Sequence, residues 1–255
     1  MKLGSDTAAV VTGGASGLGR AVAQALARQQ VRTGILDMDE AAGGAVAAEL
    51  GGTFARCDVA DPASVAAALS WLRGAQGQER ICINCAGIAP AQRTLSRGGA
   101  HDPAGFARVI GINLIGSFNV ASQSAAGMAT LDPLGDDAER GVIINTASIA
   151  AWDGQIGQAA YAASKAGVAG MTLPMARDLA RIGIRVMAIA PGIFQTAMVS
   201  GFVPEVQEAL ARHAQFPARL GRPEEFAALA CHIVENPMLN GEVIRLDAGA
   251  RMPPR

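Results

Sequence analysis

The 255-residue chain reads as one doubly wound α/β domain, a seven-stranded parallel sheet flanked by helices. Three observations predict this. Short apolar segments alternate with helical patterns from end to end. Those segments are apolar on both faces, as strands buried between two helix layers are. The first of them runs into a glycine turn that opens a helix. No linker, internal repeat or low-complexity stretch interrupts the alternation, so a single domain over 1–255 is expected.

The expected strands are Ala8–Val11, Thr33–Leu36, Thr53–Arg56, Ile81–Cys85, Val142–Thr146, Arg185–Ile189 and Val243–Leu246. The helix over Arg20–Gln29 carries Val22, Ala25 and Leu26 at helical spacing. Asp61-Pro62 and Asp102-Pro103 each place a capping carboxylate before a proline at the first helical position. A long helix from about Gly157 to Arg181 contains Pro174, which removes a backbone hydrogen bond and should bend it. Ala162, Ala163, Ala166, Gly167 and Gly170 give that helix a face small enough for close packing. Contact with another copy of the chain and packing onto the sheet are both open.

Half of the residues are hydrophobic and only 4% are aromatic, so the core must be built mainly from Ala, Val, Ile and Leu. A formal charge of −1 with no basic block or acidic tail argues against a nucleic-acid or membrane-surface protein. No apolar run approaches the ~20 residues that span a bilayer. Met1-Lys-Leu-Gly-Ser-Asp6 lacks the features of a signal or transit peptide. Four cysteines do not make a disulfide framework at this length. Cys82-Ile-Asn-Cys85 lies in a strand-like run without a second pair, which disfavours a metal site; Cys57 and Cys231 read as small buried hydrophobes. A cytoplasmic location is expected. His101, His213 and His232 fit no metal spacing, and no Gly-x-Ser-x-Gly elbow appears.

Three groups of residues carry chemistry. Thr12-Gly-Gly-Ala-Ser-Gly-Leu-Gly19 sits between a strand and a helix, the context in which glycines let backbone approach a pyrophosphate at a helix N-terminus. It lacks the Lys-Ser/Thr of a Walker loop, and a purely structural turn remains open. Asp37 ends the second strand, where a carboxylate can accept hydrogen bonds from both adenosine ribose hydroxyls and repel a 2′-phosphate. With no Arg or Lys at Ala15 or Met38, it points to NAD over NADP; the alternative is that Asp37 or Asp39 only caps the next helix. Third, Tyr161 is the sole tyrosine, one helical turn before Lys165, one of two lysines. A phenol has a pKa near 10, and a nearby cation favours phenolate by about 1.4 kcal/mol per unit of depression. A surface Tyr–Lys pair would share the spacing.

Together these residues resemble the short-chain dehydrogenase/reductase family over essentially the whole chain. Thr12, Gly13, Gly17 and Gly19 match its glycine motif. Asn84-Cys-Ala-Gly87, Asn113, Ser148 and Pro191-Gly192 match its further motifs in order. Asn145-Thr-Ala-Ser-Ile-Ala-Ala, Gly157-Gln-Ala-Ala-Tyr161 and Asn240-Gly-Glu-Val-Ile-Arg-Leu-Asp247 are similar to the type 10 17β-hydroxysteroid dehydrogenase branch, also described as short-chain 3-hydroxyacyl-CoA dehydrogenase. Connections around Arg93–Pro103 and Thr130–Arg140 sit where that branch carries insertions. Asp247-Ala-Gly departs from the commoner Asp-Gly-Gly without touching the catalytic set.

The resemblance implies a Rossmann fold, NAD as cofactor, and a catalytic set of Asn113, Ser148, Tyr161 and Lys165. Cofactor contacts are expected from Gly13, Ser16, Gly17, Leu18, Gly19, Asp37, Asp58, Val59, Cys85, Ala86, Gly87, Tyr161, Lys165, Pro191, Gly192, Phe194 and Thr196. Tyr161 would move the alcohol proton and Ser148 would hydrogen-bond the same oxygen. Lys165 would hold the ribose and lower the tyrosine pKa, and Asn113 would hold a water linking Lys165 to solvent. Simpler roles stay open: a satisfied buried amide for Asn113, and turn capping for Ser148 and Asp58.

The expected substrate is a small molecule, a 3-hydroxyacyl-CoA ester or, as the alternative, a hydroxysteroid. A non-catalytic NAD-binding regulator is a reading of another class. An apolar loop over about 193–217, with Ile193, Phe194, Met198, Val199, Phe202 and Val203, would lie over the substrate or simply pack as a surface helix. Arg93 and Arg97 either meet coenzyme A phosphates or are solvated. By analogy with the family, a homotetramer is expected.

Overall fold

The structure is a computed structural model that describes residues 1–196, 201 and 203–254. Seven parallel strands form one sheet: β1 (Ala8–Thr12), β2 (Arg32–Asp37), β3 (Thr53–Arg56), β4 (Ile81–Asn84), β7 (Gly141–Thr146), β8 (Ile184–Pro191) and β9 (Val243–Leu246). Their order is β3-β2-β1-β4-β7-β8-β9. All six pairings are parallel, as the apolar-on-both-faces pattern requires. Every expected strand is present, with ends shifted by at most two residues. Two short strands were not anticipated: β5 (Leu95–Ser96) and β6 (Gly99–Ala100) make an exposed antiparallel hairpin within the first long connection.

The sheet divides the core in two. Ala9, Val11 and Ile35 face a layer that contains Val22, Leu26, Phe226 and Ile233. Val10 and Leu36 face the opposite layer, with Leu69, Leu72, Val120 and Met128. Alternate residues of β1 therefore bury into different helix layers, which is why no polar face appears in its sequence. Helices α1 (Gly17–Arg28) and α7 (Pro223–Glu235) cover one face; α3 (Pro62–Gln76), α5 (Gly116–Met128) and α6 (Ala159–Leu179) cover the other.

The Asp-Pro helix starts behave as read. Asp61 accepts from Ala63 N–H to open α3, and Asp102 accepts from Ala104 and Gly105 to open α4 (Pro103–Ile110). Helix α6 passes through Pro174 without ending there. The π-helical turn Gly111–Ile115 joins α4 to α5, so Pro103–Met128 is one continuous 26-residue helix. By length and composition alone that helix could cross a membrane; in this fold Val109, Asn113, Ser117, Val120 and Ser124 are buried against the protein. A π turn widens the backbone spiral by one residue and often marks a functional site. Here it holds Asn113.

Strand order reverses between β1 and β4. That switch point opens a crevice at the carboxyl ends of the strands.

Candidate active site

A cleft of about 950 Å³ lies along this edge. Gly13, Ser16, Gly17, Leu18, Gly19, Asp37, Asp58, Val59, Cys85, Ala86 and Gly87 line it together with Ser148, Tyr161, Lys165, Pro191, Gly192, Phe194 and Thr196. Asn113, fully buried, stands behind the wall.

At one end the chain turns sharply after β1. Gly13 has φ +64, and a Cβ there would lie 2.8 Å from the Ala86 nitrogen. At Gly19 a Cβ would collide with the Gly13 carbonyl, so glycine lets the first turn of α1 close onto the loop. Thr12 Oγ1 accepts from Cys85 and Ala86 N–H, both at 3.1 Å, which locks the two strand ends together. Asn84 extends the lock, its amide donating to Asn145 Oδ1 at 2.9 Å. Ser16 occupies the N-cap position of α1 without a side-chain capping bond. The helix start thus keeps donors available for an anion.

Asp37 sits at the tip of β2. Its Oδ2 accepts from Ala15 N–H at 3.0 Å and its Oδ1 from Asp39 N–H at 3.1 Å, which fixes the carboxylate at the cleft. Helix α2 (Glu40–Leu50) is capped by Asp39 instead, through Ala42 N–H. The capping alternative therefore falls on Asp39. Asp58 does support a turn, its Oδ1 accepting from Ala60 N–H at 2.9 Å, and it lines the cleft as well. Glycine turn, open helix start and fixed carboxylate fit a dinucleotide: close backbone approach for the pyrophosphate, acceptors for a ribose.

At the other end, Ser148 leaves β7, and Tyr161 and Lys165 come from α6 on consecutive turns. Ser148 Oγ accepts from Ala150 N–H at 3.1 Å, so it caps the following turn and faces the cleft too. Burial pushes the Tyr161 phenol above its ordinary value, and the neighbouring Ser148 hydroxyl pulls the other way. Lys165 Nζ donates to the Thr146 carbonyl at 2.6 Å and lies 5.8 Å from the Tyr161 ring centroid. Burial lowers the Lys165 pKa to about 8. Desolvation, and not the expected depression by Lys165, dominates the phenol; the lowering contribution comes from Ser148. Cys85, beside them, is pushed up to about 11 by burial and Cys82 to about 12, so neither is a reactive thiolate.

Asn113 is a clamp. Its Oδ1 accepts from Ile88 N–H at 2.8 Å while its amide donates to the Ile88 carbonyl at 2.9 Å and to Ser164 Oγ at 3.1 Å. The side chain thus ties the loop after β4 to α6 between Tyr161 and Lys165, the satisfied-amide role left open by the sequence.

The depressed Lys165 pKa has a consequence for stability. Between about pH 8 and pH 10 the unfolded chain holds more protons at this position than the folded one. Raising the pH therefore stabilises the fold relative to a Lys165→Met protein, by about 2 kcal/mol across that window. Urea unfolding of both proteins at several pH values checks it; parallel profiles would refute it.

Ile193 and Leu210 of the apolar loop line the cleft. Phe194 borders it, with its ring packed edge-on against Phe226 at 6.4 Å and only 6% exposed. Met198, Val199 and Phe202 lie outside the described residues. Arg93 and Arg97 are exposed and do not line the cleft, whereas Arg108 does. Gln155, Gln158 and Met252 line it as well. Arg108, Gln155 and Met252 belong to no recognisable motif, whereas Gln158 lies inside Gly157-Gln-Ala-Ala-Tyr161 at the start of α6.

Comparison with known proteins agrees with this geometry. The family model described as short chain dehydrogenase matches residues 7–207. The chain is 50% identical over 250 residues to the human 3-hydroxyacyl-CoA dehydrogenase type-2, covering 96% of this chain and 95% of that one. It is 49% identical over 253 residues to the protein of the same name from Drosophila melanogaster, covering 98% and 99%. The crystal structure of 3-hydroxyacyl-CoA dehydrogenase type-2 from Mycobacterium avium superposes with a TM-score of 0.94 at 41% identity, covering 98% of both chains. Motif order, fold and relatives agree: the chain belongs to the short-chain dehydrogenase family of oxidoreductases.

Proposed function

We propose that the protein uses NAD(H) to interconvert 3-hydroxyacyl-CoA and 3-oxoacyl-CoA. The observation that carries the reading is the convergence of Ser148, Tyr161 and Lys165 at one end of a cleft whose other end presents the fixed Asp37 carboxylate. The names of the relatives at about half identity support the substrate class. Gly13–Gly19 would hold the pyrophosphate, Asp37 the adenosine ribose, and Lys165 the ribose next to the nicotinamide. When bound, the nicotinamide supplies the hydride acceptor or donor.

In the reducing direction Tyr161 gives its phenolic proton to the ketone oxygen. The Ser148 hydroxyl donates to the same oxygen and steadies the negative charge that gathers there. In the oxidising direction Tyr161 takes the alcohol proton. Because burial raises its pKa, proton donation suits neutral pH, and oxidation should speed up as the pH rises. Ile88, Ile149, Ile193 and Leu210 give the substrate half an apolar lining, where each buried methylene contributes about 0.8 kcal/mol. Reduction of acetoacetyl-CoA by NADH, with kcat/KM compared against NAD-linked hydroxysteroid oxidation, tests the assignment. Turnover of the steroid alone would replace acyl-CoA with the hydroxysteroid reading.

We propose further that the protein is a homotetramer. Phe106, Ile115 and Phe118 on the continuous helix and Leu173 on α6 are 38–49% exposed, an apolar surface of the kind that partners cover. A Cβ at Gly170 would meet nothing within 4 Å, whereas one at Gly167 would press on Leu114. Gly170→Trp should therefore leave the single chain folded and shift the assembly toward smaller species in light scattering. An unmodified protein that is monomeric at micromolar concentration would end this proposal.

A further inference from the structure

The residues after β9, up to Pro254, return to the cleft. After β9 a turn closed by Ala250 N–H on the Asp247 carbonyl, 2.9 Å, directs the tail back toward the loop between Ser148 and Tyr161. Two hydrogen bonds seat it there. Gln155 Nε2 donates to the Pro253 carbonyl at 3.2 Å, and Ile156 N–H donates to the Pro254 carbonyl at 3.0 Å. Arg245 braces the root of the tail: Nη2 reaches Asp153 Oδ2 at 2.6 Å and the Ala250 carbonyl at 3.1 Å, and Nε reaches Asp247 Oδ2 at 2.8 Å. Its guanidinium also lies 5.5 Å from the Trp152 ring centroid. One side chain thus joins the tail to the loop between Ser148 and Tyr161.

Met252 lies between the brace and the seats. It is partly buried and lines the cleft, and its neighbours Pro253 and Pro254 are held by Gln155 and Ile156 in the segment just before Tyr161, not by the glycine turn. We infer that the C-terminal tail is a wall of the substrate half and that Met252 is a specificity-determining residue, limiting how long a chain the cleft accepts. The inference rests on the proposed reading that the reacting oxygen lies by Ser148 and Tyr161. An unbranched thioether adapts its shape, so Met252 sets a graded limit rather than a hard stop. Pro253 and Pro254 narrow the backbone freedom that seating the tail removes.

Three proteins test it: Met252→Ala, Met252→Trp, and a chain ending at Arg251. The readout is kcat/KM for a ten-carbon over a four-carbon 3-oxoacyl-CoA, with NADH affinity measured alongside. Met252→Ala should raise the ratio about 10-fold and Met252→Trp should lower it by a similar factor, the scale of one or two methylenes in an apolar pocket. NADH affinity should stay within about twofold in all three. In the shortened chain KM for substrate should rise, and the Ile156 amide, protected in the intact protein, should exchange rapidly with deuterium. An unchanged length ratio in both Met252 variants would overturn the specificity role. Equal Ile156 exchange in intact and shortened chains would overturn the seating, and a change confined to NADH affinity would assign the tail to the cofactor instead. Failure of the acyl-CoA reading shows separately, as no turnover of either ester by the unmodified protein. The same ratio is then read on decan-2-one over butanone, with the same shifts expected.

Discussion

Tyr161→Phe is expected to cut kcat by at least about 100-fold, the scale of lost general acid–base catalysis, while NADH affinity stays within a few-fold. The phenol is half-buried, next to Ser148, and one helical turn from Lys165. Phenylalanine keeps the ring and its packing and removes only the proton carrier. The neighbouring hydroxyl is that of Ser148, whose Oγ already accepts from Ala150 N–H. It can share a proton with the ketone oxygen, but its own very high pKa makes it a poor replacement acid. Steady-state kinetics with NADH titrated by fluorescence separates the two effects. Retention of most activity would show that Tyr161 does not move the proton, and undiminished NADH binding with no activity in the unmodified protein would favour a regulator over an enzyme.

A second large effect is expected at Asp37. The unmodified protein should prefer NAD(H) over NADP(H) by at least about 100-fold in kcat/KM, because a 2′-phosphate against an uncompensated carboxylate costs several kcal/mol. Asp37 is held by two backbone N–H groups and so cannot swing away without breaking them. Met38, at the next position, is half exposed and carries no charge to offset it. Asp37→Ala should weaken NAD and strengthen NADP, narrowing the gap from both sides. Comparable kcat/KM for the two cofactors before any substitution would contradict the role given to Asp37.

Much of this molecule is legible in its sequence because parallel strands buried on both faces leave continuous apolar runs. Glycine at positions 13 and 19 is demanded by backbone contacts within one short turn, and the Tyr161–Lys165 pair depends only on helical spacing. What local pattern could not supply is the balance of long-range terms. Helical spacing alone suggests that Lys165 depresses the Tyr161 pKa, but burial acts on both groups and pushes the phenol up and the ammonium down. The Thr12–Ala86 and Asn84–Asn145 locks join residues that are distant in sequence. So do the contacts of Pro253 and Pro254 with the loop before α6. Arg108, on α4, lines the cleft, while the more suggestive Arg93 and Arg97 flank an exposed hairpin strand.

On the proposed mechanism this cleft moves a hydride between a nicotinamide and a secondary alcohol carbon, with Tyr161 handling the proton. The most direct measurement is mass spectrometry of the product formed from acetoacetyl-CoA and NADH deuterated at the transferring position. One deuterium fixed at C3 of the hydroxyacyl product, and its absence when Tyr161→Phe replaces the unmodified protein for the same time, is the predicted result. NADH oxidation that leaves no deuterium at that carbon, or equal labelling by the two proteins, would contradict it.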